Sequence, residues 1–328
     1  MTPPARPRLP RRALHGVLLL DKPIGWTSND ALQKAKGLLR AEKGGHTGTL
    51  DPLATGLLPL CFGAATKFSQ ASLDADKRYT ATLRLGQTTA SGDAETPVLS
   101  ERPCDGVTLD RIRAACERFT GAIEQLPPMH SALKHEGRAL YDYARAGQTV
   151  ERTARAVTVH AIDVLDWQHE RLVIDVRCSK GTYIRTLAQD IGEALGCGAH
   201  LAALRRTACG ALTVDDAITI EALAALDESE RAALLRPADV LLADWPRVAL
   251  PADEAGRFLT GLRRRVDLAD AASVRVYGPA LASDSSRAAA EAFLGSAHIK
   301  AGELIADRLL SPTEVQAQVA SLGTCATA

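Results

Sequence analysis

The chain has 328 residues, 46% of them hydrophobic, and its 39 lysines and arginines are balanced by 39 acidic side chains. That length supports a substantial core and favours one large domain plus a smaller one, while the cancelled charge leaves any nucleic-acid contact to local clusters. Seven cysteines without a C-x-x-C pair or a Cys/His group at metal spacing exclude a disulfide framework and a zinc site; they fit a reduced, cytoplasmic protein.

Residues 1–12 carry four arginines and read as a basic, disordered leader. Gly16 to Leu20 reads as a short buried strand ended by Pro23 and Gly25. The run is too short for a signal peptide, and no later stretch is long and uncharged enough to span a bilayer, so no membrane association is expected. Ser28 or Asn29 caps a helix whose apolar positions Ala31, Leu32, Ala35, Leu38 and Leu39 recur at helical spacing. It delivers the chain to residues 44–59, a glycine-rich loop with two prolines and one acid, Asp51, which such a backbone presents rather than tethers loosely.

Lys77 to Gly86 alternates as a half-buried strand with Tyr79, Ala81, Leu83 and Leu85 on one face. Ser91 to Pro97 reads as a polar turn, and Thr108 opens a helix. Pro127-Pro128 breaks the chain before a basic segment, in which Lys134 to Arg155 holds five basic against three acidic residues. Ala156 to Trp167 and Arg171 to Cys178 form a hairpin, and the turn at Gly181 leads to a helix with Ile184, Leu187, Ala188, Ile191 and Leu195 facing the core, stopped by Gly196. The expected fold is α+β, with a mixed, largely antiparallel central sheet and flanking helices over residues 13–246. A shift in composition at 227–246 marks a small β-rich domain at 247–312, with a polar insertion at 280–291, the basic run Arg263-Arg264-Arg265 and an unstructured tail at 313–328.

The chain lacks H-E-x-x-H, G-x-S-x-G and G-x-x-x-x-G-K-[ST], so zinc hydrolysis, serine acyl transfer and P-loop phosphoryl transfer lack their minimal parts. Gly45-His46-Thr47-Gly48 matches the G-x-x-G clamp of KH modules, an RNA-binding alternative. The remaining chemistry is one placed carboxylate, Asp51, two tyrosines, Tyr79 and Tyr183, and Arg185 beside the second. A lone carboxylate suits attack on an electron-poor sugar carbon, and an arginine would keep it ionised and aimed.

GHTGTLDPLATGLLP resembles the active-site signature of the bacterial pseudouridine synthases that modify the T loop of tRNA. GVLLLDKPIGWTSNDALQK, DADKRYTATLRLGQTT, PPMHSALKHEGRALYDYAR, CSKGTYIRTLAQDIG and GCGAHLAALRRT look like further blocks of that family, in its order, from residue 16 to 207. The resemblance implies the pseudouridine synthase fold followed by a small PUA-like RNA-binding domain. The implied activity, needing no cofactor and no metal, isomerises the T-loop uridine at tRNA position 55. The base would be flipped out, its N-glycosidic bond cleaved, and C5 rejoined to the same ribose carbon. By position, Asp51 would be the nucleophile, Tyr79 would stack on the uracil and handle its C5 proton, Tyr183 and Leu204 would line the pocket, Arg185 would pair with Asp51, and His46 would contact the T loop. The expected partner is the T-arm stem-loop of tRNA, bound by a monomer. The C-terminal third resembles the family less, which leaves its RNA contacts open.

Overall fold

The structure, a computed structural model, describes residues 10–131, 133–279 and 291–325. Strands of its two main sheets, and helices of eight residues or more, are numbered here in chain order. The apolar run at the start becomes β1 (Gly16–Lys22), buried on both faces. Val17 and Leu19 join one core cluster while Leu18 and Leu20 join another, as expected of a continuous hydrophobic strand inside a covered sheet. Helix α1 (Ser28–Leu39) is capped by Thr27, one residue before the expected caps, in a reciprocal box with Asp30. Ser28 is turned inward instead: it donates from Oγ to the Leu50 carbonyl (3.1 Å) and accepts from Leu50 N (2.8 Å).

The glycine-rich stretch at 44–59 is a loop only in its middle. Gly44–His46 is strand β2 and Ala54–Phe62 is strand β3, which pairs with the whole of β1 from Gly56 to Phe62. The sheet continues through β4 (Lys77–Leu85), β5 (Gly121–Gln125), β6 (Arg155–Gln168), β7 (Arg171–Cys178), β8 (Ala199–Cys209), β9 (Leu212–Thr213) and β10 (Ile218–Thr219). Its order is β10-β1-β3-β8-β4-β7-β6-β5, with β2 added to β3 and β9 to β8. Only β1/β10 and β3/β8 are parallel, so the sheet is largely antiparallel as expected. Helices α2 (Leu109–Arg118) and α3 (Ile184–Leu195) bury one stripe each against one face; α3 ends on Gly196 in the left-handed conformation.

The parallel pairing of β3 with β8 needs an unusually close approach of the two strands. Gly56 lies at φ +97°, and a Cβ there would sit 2.3 Å from the Arg206 carbonyl oxygen, so only glycine lets the two backbones meet. That approach brings Leu204 and Arg206 beside the loop that carries Asp51.

A second, five-stranded sheet holds β11 (Arg247–Ala249), β12 (Arg264–Arg265), β13 (Ala271–Pro279), β14 (Glu291–Lys300) and β15 (Glu303–Leu309), ordered β11-β13-β14-β15-β12. A helix not foreseen, α4 (Ala252–Leu259), buries Phe258 against it. The expected tail also differs: Pro312–Cys325 is helix α5, anchored by buried Val315 and by Glu314, which pairs with Lys67 at 2.6 Å. One apolar cluster runs from Val17, Leu57 and Phe68 of the first sheet and its flank to Phe258, Val274 and Phe293 of the second. The Phe68 and Phe293 rings meet edge-on at 5.1 Å. At the other end, Arg12 of the expected leader bonds through its backbone to Arg40 and through its side chain to Glu228 at 2.8 Å. The insertion expected at 280–291 lies outside the described residues except for Glu291, which starts β14.

Candidate active site

Asp51 sits in the seven residues between β2 and β3, and that loop is clamped from three directions. Ser28 holds Leu50 from α1, Gly25 N donates to the Pro52 carbonyl (2.8 Å), and Thr47 N donates to the Pro59 carbonyl (3.1 Å). Under it lies Lys22, fully buried, whose Nζ donates to the carbonyls of Trp26 (2.6 Å), Pro23 (2.9 Å) and Pro52 (3.5 Å). Burial lowers the Lys22 pKa to about 8, and the Asp51 charge is the main influence opposing that shift. The Asp51 carboxylate itself keeps 42% of its side-chain surface open to a cleft.

Arg185, on the first turn of α3, reaches Asp51 with Nη2 at 3.0 Å. The same guanidinium is 3.3 Å from Asp93 Oδ2 through Nη1 and donates to the carbonyls of Ser91 (3.2 Å) and His130 (2.6 Å). Asp93 is 1% exposed and is held by the Ser91 hydroxyl and by Glu95 N (3.1 Å). The result is an Asp51–Arg185–Asp93 chain in which a nearly buried arginine bridges two carboxylates. The arginine pulls the Asp51 pKa down, as expected from the sequence, but is outweighed. Burial is the larger influence and, with Asp93 nearby, holds the Asp51 pKa above its ordinary value of 3.8 against the pull of Arg185.

A cleft of about 260 Å³ opens over this chain, lined among others by Asp51, Tyr79, Tyr183, Arg185, Leu204 and Arg206. Five of the six residues singled out in the sequence are thus together. Tyr79 and Leu204 stand where two core clusters meet, so each is partly buried and partly presented. Burial pushes the Tyr79 hydroxyl up to about 12 although Arg206 lies beside it, which keeps the phenol protonated at neutral pH. Tyr183 is raised by burial as well, and its backbone is gripped by the Gln125 amide through Tyr183 N (2.9 Å) and O (3.3 Å). His46 stands apart on β2, outside the residues lining the cleft; its Nδ1 is buried without a hydrogen-bond partner, and burial with the Arg206 charge lowers its pKa. Gly45 and His46 are paired to Cys61 and Leu60, so half of the G-x-x-G match is strand and not a free clamp.

Two residues of the site escape sequence reasoning. Asp93 falls in a stretch with the composition of a solvated turn. Arg206 belongs to a basic stretch whose composition suggests surface cations, yet it is 1% exposed, donating from Nε to the Leu57 carbonyl (2.7 Å); its i, i+2 spacing from Leu204 on a strand is the signal that could have placed it on the pocket face. A larger cavity, about 640 Å³, lies at the seam of the two sheets beside Phe68 and Trp245, away from the Asp51 chain. No group of His, Cys, Asp and Glu suited to a metal occurs among the described residues, and no described helix is long and apolar enough to cross a membrane.

This mixed sheet, with a carboxylate held by an arginine over a cleft, has counterparts among known proteins. Solved structures similar to it include the Cbf5-Nop10-Gar1 complex, at 25% identity and a TM-score of 0.69 over 92% of this chain and 87% of that one. An H/ACA RNP bound to a substrate RNA containing 2′-deoxyuridine has the same fold, at 23% identity and a TM-score of 0.66 over 90% of this chain and 84% of that one. Residues 36–184 match the TruB family pseudouridylate synthase N-terminal domain, and residues 185–243 match the tRNA pseudouridylate synthase B C-terminal domain. Proteins named tRNA pseudouridine synthase B are 59% identical in Ralstonia nicotianae, over 94% of this chain and 98% of the relative, and 60% identical in Ralstonia pickettii, over 92% and 96%. The chain belongs to the TruB family of pseudouridylate synthases.

Proposed function

We propose that Asp51 is the nucleophile of this enzyme and that its substrate uridine lies in the T loop of tRNA. The enzyme isomerises uridine in tRNA to pseudouridine. In the proposed course, the Asp51 carboxylate attacks C1′ of the ribose as the N1–C1′ bond breaks and its electron pair leaves on the uracil. The uracil turns in the cleft, C5 attacks C1′ and displaces Asp51, and the ring is restored as the C5 proton is lost to a base while N1 takes up a proton. No atom is gained or lost, so the chemistry asks for no external oxidant or co-substrate.

The observation that carries this reading is the Asp51–Arg185 contact at 3.0 Å, with Asp51 still open to the cleft. Arg185 aims the carboxylate, and Asp93 in turn holds Arg185. Tyr79 offers a ring on which the extruded base stacks, with Tyr183 and Leu204 completing the walls. Extrusion costs a few kcal/mol, which stacking and phosphate contacts offset. His46, outside the cleft, is assigned to the T loop where the base has left. We assign the C-terminal sheet a PUA-like RNA-binding role and the protein a monomeric state in the cytoplasm. Incubating the protein with unmodified tRNA and mapping any pseudouridine tests the reading. Product at a T-loop uridine with wild type and none with Asp51→Asn is expected; modification at other positions only would overturn the T-loop assignment.

A further inference from the structure

Four lysines and arginines are buried among the described residues, and all stand at the cleft over Asp51. Lys77, Arg185 and Arg206 line it, and Lys22 lies beneath its loop. Arg185 is answered by two carboxylates, while the ion pairs among the described residues include none made by the other three. Lys22 and Lys77 each spend Nζ on three backbone carbonyls. Arg206 is the exception. It donates from Nε to the Leu57 carbonyl (2.7 Å) and from Nη2 to the Gly48 carbonyl at a long 3.4 Å, and the Tyr79 hydroxyl lies beside it.

The sheet places this side chain with care. Arg206 faces Tyr79 across β8 and β4, and the ladder resumes only at Ala208 opposite Arg78, so the strand bulges at Thr207 and turns there. The close approach at Gly56 fixes its backbone from the other side. Its charge is felt throughout the cleft. Burial is the first influence on Lys22, His46, Lys77 and Tyr79, and at each of them the Arg206 charge pulls the pKa down. A neutral amide could satisfy the Leu57 and Gly48 carbonyls. A buried guanidinium with no carboxylate is costly, so the charge itself asks for a reason.

The reaction supplies one. When the N1–C1′ bond breaks, its electron pair stays on N1 and spreads to O2 and O4 of the uracil. The negative charge of Asp51, countered by Arg185 beforehand, is consumed as its oxygen bonds to C1′, and the uracil carries that charge instead. We infer that Arg206 stabilises the departing uracil anion, its buried charge acting from strands β4 and β8 while Arg185 serves Asp51 from α3. This rests on cleavage of the N-glycosidic bond in this cleft and not on the form of attack by Asp51. Bound uridine is neutral, so a fixed cation in a low-dielectric wall favours the breaking bond over the ground state.

The test uses the full-length protein and T-arm stem-loops carrying either uridine or 5-fluorouridine at the target, in single turnover at saturating RNA. Loss of the starting nucleoside is followed in nuclease digests. Fluorine makes the base a stronger acid, so its anion departs with less help. Arg206→Gln should slow the loss of uridine about a hundredfold, the loss of 5-fluorouridine only about tenfold, and leave RNA affinity within about threefold. Arg206→Lys, which keeps a charge and guards against a folding defect, should show the same narrowing on a smaller scale. Arg205→Gln, beside it on the strand but paired outward with Asp21, should treat both substrates as wild type does. If both Arg206 variants slow the two substrates equally, the arginine only holds the Leu57 and Gly48 carbonyls, and the proposal falls. If deuterium at C5 of uridine slows Arg206→Gln but not wild type, Arg206 serves the C5 proton through Tyr79, and the proposal falls as well. An Asp51→Asn variant that still consumed both substrates would remove the nucleophile assignment and leave this comparison standing.

Discussion

Two stretches of this chain are equally basic on paper and opposite in the fold. Arg263 and Arg264 of the C-terminal sheet are neutralised at home, by Glu303 at 3.1 Å and Glu254 at 3.0 Å. Lys134, Arg152 and Arg155, between β5 and the first residue of β6, have no carboxylate within pairing distance among the described residues, and they line a cavity one step from the catalytic chain. Charge counted along a sequence therefore says little about a partner until the fold has placed the acids. The same contrast runs through the cores, since the C-terminal sheet is held by apolar packing such as Phe68 on Phe293, whereas the cleft is built on buried charge.

The largest expected effect lies on the buried-charge side. Asp51→Asn should lose on the order of a thousandfold or more in turnover while binding RNA within about tenfold of wild type. Its stability should not fall. Burial raises the folded pKa of Asp51, so the stability linked to its protonated form is present below 3.8 and lost as pH rises through the raised value. A neutral asparagine avoids that loss at pH 7. Thermal unfolding of the pair checks this, and a clearly less stable Asp51→Asn would mean that the carboxylate holds the loop and does not merely occupy it.

Asp93→Asn sharpens the comparison in a different way. It removes the one fully buried carboxylate that Arg185 faces and leaves it only the half-exposed Asp51, and breaking such a buried pair costs about 3 kcal/mol. It also removes a negative charge that raises Asp51, so the acid limb of the turnover profile, which should lie above the ordinary carboxylate value in wild type, should move to lower pH. A limb that stays in place would show that Asp93 has no part in setting the Asp51 pKa.

Tyr79 separates stacking from proton transfer. Tyr79→Leu should lose affinity by roughly 1–3 kcal/mol, the usual worth of one base stacked on an aromatic side chain, along with turnover. Tyr79→Phe keeps the ring, so it should bind normally and lose turnover only if the hydroxyl handles the C5 proton. With its pKa at about 12 that hydroxyl is seldom ionised at neutral pH, and a fully active Tyr79→Phe would assign the proton to another base.

The fold is legible in the sequence where pattern and placement coincide. The alternation of β4, the stripe of α3 ending on Gly196 and the hairpin of β6 and β7 all stand where periodicity puts them. Asp51, Tyr79, Tyr183, Arg185 and Leu204 line one cleft, although the chemical role of each is for substitution to decide. Sequence reasoning fails at whatever depends on long-range packing. Asp93 looks like any turn aspartate until Arg185, 92 positions away, is folded onto it. Helix α5 has little periodicity of its own and is fixed by Lys67 and by the seam, and half of the glycine loop becomes strand because β1 and β8 are there to pair with it.

The smallest effect is expected from the arginine run, and its smallness is what the comparison predicts. Arg263 and Arg264 each already face a carboxylate, so a phosphate approaching them must first displace Glu303 or Glu254; the exchange gains little, because the exposed Arg263–Glu303 pair is worth only about 0–1 kcal/mol either way and Arg264 is half-buried against Glu254. Arg263→Gln with Arg264→Gln should therefore change RNA affinity by less than about threefold and leave the salt slope within about 0.5 of wild type, whereas Arg155→Gln should forfeit a whole phosphate interaction. The control is Glu303→Gln, which frees Arg263. If the run is silent only because it is neutralised, this variant should tighten RNA binding and steepen the salt slope. If instead the double arginine variant loses as much as Arg155→Gln, the C-terminal sheet grips RNA through cations that part from their carboxylates on binding, and the two basic stretches are alike after all.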